Sequence, residues 1–266
     1  MTLSQAIFLG ALQGLTEFLP VSSSGHLAIA QHFLPGFNQP GVFFDVMLHV
    51  GTMGAVAIYF RRELAALLAS PFRSGEAARV QQRLLLLLIV ASIPTAVIGL
   101  LFMDFFEGLF QNITVVSLML LATGILLFVA ERFRRGGRKE GELTLADALV
   151  VGTVQGCAII PGISRSGSTI AALLLKGVDG ETAARFSFLL ALPAVIGAAL
   201  LSAGDLGEVE AGHIPLYLAG TGVAFLSGLL SIHLLLAVIR RRRLIGFAIY
   251  CWLAGGLFFS LSLSPG

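Results

Sequence analysis

The stretch "FLPVSSSGH" (Phe18–His26) places a proline, three consecutive serines, a glycine and a histidine inside a 266-residue chain that is 56% hydrophobic and only 12% charged, with a mean hydropathy of +0.92. Such a composition belongs to an integral membrane protein and excludes a soluble domain with a large core. A helix needs about 20 apolar residues to cross about 30 Å of hydrocarbon. Val42–Phe60, Leu84–Met103, Ile113–Ala130, Ala183–Ala203, Ile214–Ala237 and Leu244–Leu263 are runs of that order, which predicts six spans. Two further apolar regions, Thr2–Leu34 around the quoted serines and Thr144–Lys176, are broken in the middle by Pro, Gly and Ser, so each half is too short to cross. The opening "MTLSQAIFLGALQG" lacks the charged leader and small-residue cleavage site of a secretory signal, which keeps it in the mature protein. Cys157 and Cys251 have no metal or redox spacing around them and are expected as buried thiols.

Charge distribution predicts the topology. Of the 17 Lys and Arg residues, fourteen fall in three segments: five in 61–83, five in "ERFRRGGRKE" and four in Arg240–Arg243. By the positive-inside rule these loops face the cytoplasm, whereas "DFFEGLFQN" (104–112) and "GDLGEVEAGH" (204–213) carry no Lys or Arg and face out. Six spans thread through these assignments only if each broken region enters the membrane and returns to the side it left. The first dips from outside, the second from inside, and both termini lie outside. Lys176 and Arg185 then join the cytoplasmic side, which leaves Arg165 as the one basic residue topology does not explain. The arginine runs read as topology and lipid-headgroup contacts, with membrane lipids as partners and no nucleic acid.

Sliding the chain against itself by 142 positions aligns "LSQAIFLGALQG" with "LADALVVGTVQG" and, without a gap, "SSSGH" with "SRSGS". Leu and Ala matches are cheap in an apolar chain, but Gln13-Gly14 on Gln155-Gly156, and Ser22, Ser24 and Gly25 on Ser164, Ser166 and Gly167, are not. The reading is a single all-α membrane domain over 1–266, made of six transmembrane helices plus two re-entrant helical hairpins in an inverted-topology repeat, roughly 1–141 and 142–266. Three spans per copy is an odd number, so the second copy lies upside down. Non-helical backbone at membrane depth is tolerated only where protein buries it or a wet cavity receives it, so the two hairpin tips are expected to face each other across one polar cavity.

Gln13 and Glu17 are four apart and share a helix face. After Pro20, the hydroxyls of Ser22, Ser23 and Ser24, with Gly25, fall at the cap and first turn of the next half-helix, where free N–H groups and the helix dipole favour an anion. His26 follows, within expected reach of Glu17. The second tip, "PGISRSGST", repeats the device with Ser164, Ser166, Gly167, Ser168 and Thr169, and adds Arg165, whose planar guanidinium suits phosphate oxygens. The natural guest is a phosphate or pyrophosphate carried on a lipid. The plainer alternative makes the serines ordinary caps and joins Glu17 to Arg165 as a structural pair between the repeats. Asp45 and His49, another four-apart pair, cap the cavity or merely face it.

At "QGLTEFLPVSSSGH" and "PGISRSGST" the sequence resembles the undecaprenyl pyrophosphate phosphatase family of the bacitracin-resistance type, and the likeness, with the "FDV" segment and "FSFLLALP", covers essentially the whole chain. The resemblance implies a bacterial inner-membrane enzyme that hydrolyses undecaprenyl pyrophosphate to undecaprenyl phosphate and inorganic phosphate. That reaction recycles the lipid carrier for peptidoglycan and confers bacitracin resistance. It implies catalytic roles for Gln13, Glu17, Ser23, His26 and Arg165, and Mg²⁺ or Ca²⁺ on Glu17 with Gln13. Family motifs open with Glu or Gln; Gln13 here weakens any scheme needing two carboxylates on a metal. A polyprenyl pyrophosphate is the expected substrate, a homodimer is open, and the site is expected to open to the periplasmic or extracellular face. Attack comes from Ser23 activated by His26, or from His26 or a water aided by Glu17; these alternatives stay open here. The rival from another class is a carrier or flippase of a lipid phosphate or small anion, which needs the binding groups but no nucleophile.

Overall fold

The protein was analysed as a computed structural model that describes residues 1–37, 43–202, 204, 211–240 and 244–263. Helix starts follow from their caps. Thr2 accepts the N–H of Gln5 while Gln5 reaches back to the Thr2 N–H, a capping box that opens α1 (Leu3–Phe18). Thr144 and Asp147 do the same for α8 (Leu145–Cys157). Leu19-Pro20 ends α1, and Ser22 caps α2 (Ser23–Phe33) by accepting the Gly25 N–H. Ser164 caps α9 (Arg165–Leu175) by accepting the Gly167 N–H. Under the 142-residue offset both helices of the two hairpins start at corresponding positions and α2 and α9 end at corresponding positions, whereas α8 stops three residues earlier than α1.

Long helices make up the rest: α3 (Phe43–Tyr59), α5 (Glu76–Leu101), α7 (Ile113–Phe133), α10 (Gly180–Leu201), α11 (Ile214–Arg240) and α12 (Ile245–Leu263). Short α4 (Arg61–Ala69) follows α3 at a bend of 79°, and α6 (Met103–Phe110) links α5 to α7. Five helices are long and apolar enough to cross a membrane, and a sixth span is reached if α3 with its bent continuation counts as one. Among the described residues there is no β-strand, and the chain is an all-α integral membrane protein. Leu86, Ile89, Ile93, Val97 and Leu100 stand exposed along one stripe of α5. In water such a stripe would be an aggregation surface; in a bilayer it faces matching solvent.

Each hairpin returns to the end it left. Gln5 near the start of α1 donates to the Pro35 carbonyl just past α2, at 3.0 Å. Asp147 at the start of α8 pairs with Lys176 at the end of α9, at 3.3 Å, and with Arg138 of the preceding basic loop, at 2.6 Å. The first helix of each hairpin packs on a long helix from the other half: α1 on α11, α8 on α5. Small residues permit this closeness. A Cβ added at Gly10 would stand 2.3 Å from the Gly220 carbonyl oxygen, and one at Gly152 only 2.0 Å from that of Ala91.

The core lies between these layers, with Phe18 edge-on to Phe188 at a centroid distance of 5.3 Å. Cys251 is buried as expected, but Cys157 is exposed on the outer face of α8, where it lines an apolar groove of about 500 Å³ against α7 and α9. Its helix buries the opposite face, carrying Gly152 and Gly156, against α5. Most of the 204–213 loop and of Arg240–Arg243, on which the topology reading partly rests, lies outside the described residues.

Candidate active site

The two hairpin tips meet. A Cβ on Gly25 would stand 2.9 Å from the Gly162 Cα, and Ser22 Oγ donates across the junction to the Ile163 carbonyl at 3.2 Å. Ser166 Oγ returns the contact by donating to the main-chain carbonyl of Glu17 at 3.3 Å. Gly162 has φ 94°, and any side chain there would strike the Val116 carbonyl oxygen at 2.2 Å, so glycine is required at the turn.

Glu17 is the centre of the junction, its side chain only 3% exposed. Its Oε1 pairs with Arg165 Nη2 from the other tip. Its Oε2 accepts from Ser23 Oγ at 2.5 Å and from Gln13 Nε2 at 2.9 Å, and lies 3.4 Å from His49 Nε2. A lone carboxylate at this depth would be costly, and the guanidinium offsets its charge directly. Arg165 also reaches the Ser187 carbonyl on α10 through Nη1, at 3.5 Å. Thr169 holds that region in place, its hydroxyl 2.5 Å from Ser187 Oγ and 2.9 Å from the Arg165 carbonyl.

The fold thus gathers Gln13, Glu17, Ser23 and Arg165 at one point, with the half-helix N-termini of α2 and α9 beside it. Ser22 and Ser164 act as caps, and Ser24 Oγ lies 3.3 Å from Ser22 Oγ. Ser168 is buried with its hydroxyl unpartnered, on the α9 face that lines the apolar groove, and Thr169 turns to α10. His26 is not among the groups bonded to Glu17. Its Nδ1 lies 2.7 Å from the Ser22 carbonyl oxygen and its Nε2 2.7 Å from Tyr250 Oη on α12. Ser22 has φ 68°, a left-handed conformation unusual for a non-glycine residue and unique to it among the described residues of that class. Strain of about 1–3 kcal/mol of this kind collects at functional sites.

Three participants carried little or no signal in the sequence. Ser187 and Tyr250 sit inside apolar spans, and only folding brings them to the tips. His49 stood out by its spacing from Asp45, but its position beside Glu17 did not. Its Nδ1 lies 2.8 Å from the Asp45 carbonyl oxygen, which directs Nε2 at Glu17.

Fold and site together define a polytopic membrane protein whose buried carboxylate, serine and arginine converge where two half-helices point their N-termini. A profile of the family described as bacitracin resistance protein BacA matches residues 6–257, and the chain belongs to that family. A Syntrophotalea carbinolica protein named undecaprenyl-diphosphatase is 62% identical over 262 residues, covering 98% of this chain and 100% of that protein. A Desulforapulum autotrophicum protein of the same name is 44% identical, covering 96% of each. The Bacillus thuringiensis subsp. konkukian undecaprenyl-diphosphatase 4 is 41% identical, covering 98% of this chain and 97% of that protein.

Proposed function

We propose that this chain is a membrane-embedded phosphatase that converts undecaprenyl pyrophosphate to undecaprenyl phosphate and inorganic phosphate. The observation that carries the reading is the 2.5 Å hydrogen bond from Ser23 Oγ to Glu17 Oε2, made beside Arg165 and at the start of a half-helix. A nucleophile held by a base, with a guanidinium and helix N–H groups to take developing charge, is the constellation phosphoryl transfer requires.

In this scheme Ser23 Oγ attacks the terminal phosphorus as its proton passes to Glu17 Oε2. The bond from phosphorus to the bridging oxygen breaks, and undecaprenyl phosphate departs with that oxygen and its electron pair. Glu17 gives its proton to the departing phosphate oxygen or to bulk water and is again a carboxylate. It then takes a proton from a water whose oxygen bonds to phosphorus as the bond to Ser23 Oγ breaks, and returns that proton to Ser23 Oγ as inorganic phosphate leaves. Arg165 and the N–H groups of α2 and α9 hold the phosphate oxygens. The hydrogen-bond pattern favours Glu17 over His26 as the partner of Ser23, since both His26 nitrogens are engaged elsewhere.

A divalent cation fits the residues present. Gln13 is fully buried and its Oε1 has no partner, an orphaned acceptor on the residue whose amide touches Glu17. Glu17 and Gln13 would hold Mg²⁺ or Ca²⁺, with His49 at the edge. When bound, such an ion supplies charge neutralisation for the phosphate oxygens. Among the described residues no cluster of three or more His, Cys, Asp or Glu is present, which accords with a site completed by substrate oxygens and water.

The matching hairpins support two inverted repeats with re-entrant tips in the bacterial plasma membrane. We place the site on the periplasmic or extracellular side, with both termini there. Reconstituted protein should release phosphate from undecaprenyl pyrophosphate, and Ser23→Ala or Glu17→Gln should lower kcat by about a thousandfold. Wild-type turnover in both variants, or lipid translocation without phosphate release, removes the proposal.

A further inference from the structure

His26 is held from two sides. A carbonyl oxygen only accepts, so the 2.7 Å contact with Ser22 requires Nδ1 to carry its hydrogen. In the neutral ring Nε2 is then the lone-pair nitrogen, and at 2.7 Å from Tyr250 Oη it accepts the phenolic hydrogen. The two rings also stack, with centroids 5.6 Å apart and planes inclined by 11°. Ring plane, tautomer and lone-pair direction are therefore all specified. Two of the three specifications depend on a residue 224 positions away in sequence.

Tyr250 lies on α12, inside "GFAIYCW", where its neighbours Ile249 and Leu253 face outward. It is itself 44% exposed, so its ring covers His26, which is 8% exposed, on the side towards the surrounding membrane. A phenylalanine would fill that apolar position equally well. What phenylalanine lacks is the hydroxyl, and the hydroxyl is the part that meets Nε2. Cys251, the next residue, packs its thiol against the Pro20 carbonyl at 3.7 Å, which fixes this turn of α12 onto the first hairpin.

The geometry points to Tyr250 as a positioning residue for the reaction, acting through His26. With the Ser22 carbonyl fixing the Nδ1–H tautomer, Tyr250 holds the ring plane and keeps the Nε2 lone pair turned to α12 and away from Glu17, which leaves Glu17 as the sole base for Ser23. The kinetic part of this inference rests on the phosphatase reading; the tautomer does not.

The test uses full-length protein in detergent micelles with ¹⁵N-labelled histidine, wild type and Tyr250→Phe, alongside phosphate release from undecaprenyl pyrophosphate. His26 is assigned among the five histidines by comparison with His26→Asn. Wild type should show Nδ1 with the shift of a protonated ring nitrogen and Nε2 with that of a hydrogen-bonded lone-pair nitrogen. Tyr250→Phe should move the Nε2 resonance and lower kcat about tenfold with KM unchanged, because His26 freed at Nε2 no longer holds through Nδ1 the Ser22 carbonyl that sets the turn before Ser23. A protonated Nε2 in neutral wild-type His26 overturns the inference. So does a variant that changes the spectrum without changing kcat, or kcat without changing the spectrum. If Tyr250→Phe does not fold, the wild-type spectrum decides alone. If wild type releases no phosphate, the phosphatase reading fails and the spectrum still judges the tautomer.

Discussion

Arg165→Met is the sharpest perturbation of the tip junction. It keeps much of the side chain's apolar volume and removes the charge opposite Glu17, whose side chain is 3% exposed. Breaking a buried pair from one side costs about 3–5 kcal/mol, because an uncompensated charge stays behind. Glu17→Gln should cost less, about 1–3 kcal/mol, since the Arg165 side chain keeps 18% exposure and can turn to water. Removing both charges in Glu17→Gln/Arg165→Met leaves no buried ion, and replacing a buried pair ranges from neutral to stabilising. The double variant should therefore recover most of the loss, with a coupling of at least about 2 kcal/mol. Unfolding in mixed micelles, followed by circular dichroism, measures all four corners of the cycle. Phosphate release should stay abolished at every corner but wild type, which separates stability from chemistry. Single variants that each cost under about 1 kcal/mol and add in the double would refute the buried pair as drawn.

The other predictions concern packing, pH and metal. Gly152→Leu must force α8 from α5, because even a Cβ would stand 2.0 Å from the Ala91 carbonyl oxygen; a loss of about 1–3 kcal/mol is expected, and unchanged thermal unfolding would contradict the close approach. Asp179, outside the membrane-spanning helices, caps α10. Burial pushes its carboxyl up, but hydrogen bonds from Thr182 and Glu181 and the charge of Lys139 outweigh burial and hold it below the usual value. Its contribution is thus present above the unfolded carboxyl's ordinary value of about 3.9 and is lost as pH falls through the lower folded one. Asp179→Asn should lower stability by a few tenths to 1 kcal/mol at neutral pH and flatten that acid dependence; an unaltered pH profile counts against it. Gln13→Glu sets a second carboxylate where an amide now lies 2.9 Å from Glu17 Oε2. Titration calorimetry should show Mg²⁺ binding tightened, and unfolding should become Mg²⁺-dependent; metal-independent unfolding would argue against a cation there.

Much of the fold was legible in residue patterns because the forces that set it act locally. Apolar runs of span length, a broken half-helix at Pro20, and caps at Thr2, Ser22, Thr144 and Ser164 are all written within a few residues. The repeated Ser and Gly positions marked two hairpins, and the structure starts their helices in corresponding places. An isolated charge in an apolar half-helix marks Glu17 and Arg165 as functional, with their direct pairing only the plainer alternative.

What stayed hidden depended on contacts between distant segments. Ser23 was read beside His26 because they are neighbours along α2, yet they diverge: Ser23 turns to Glu17 and His26 to Tyr250. Cys157 was placed in the interior by its apolar surroundings, but composition in a bilayer does not separate the lipid face from the core. The amino-acid sequence by itself determined the apolar spans, the two half-helix tips and the two isolated charges, since local backbone chemistry and desolvation cost specify them. Only tertiary packing decided which groups reach the carboxylate and which reach the imidazole, because those choices follow from how α1, α3, α9 and α12 are laid against one another.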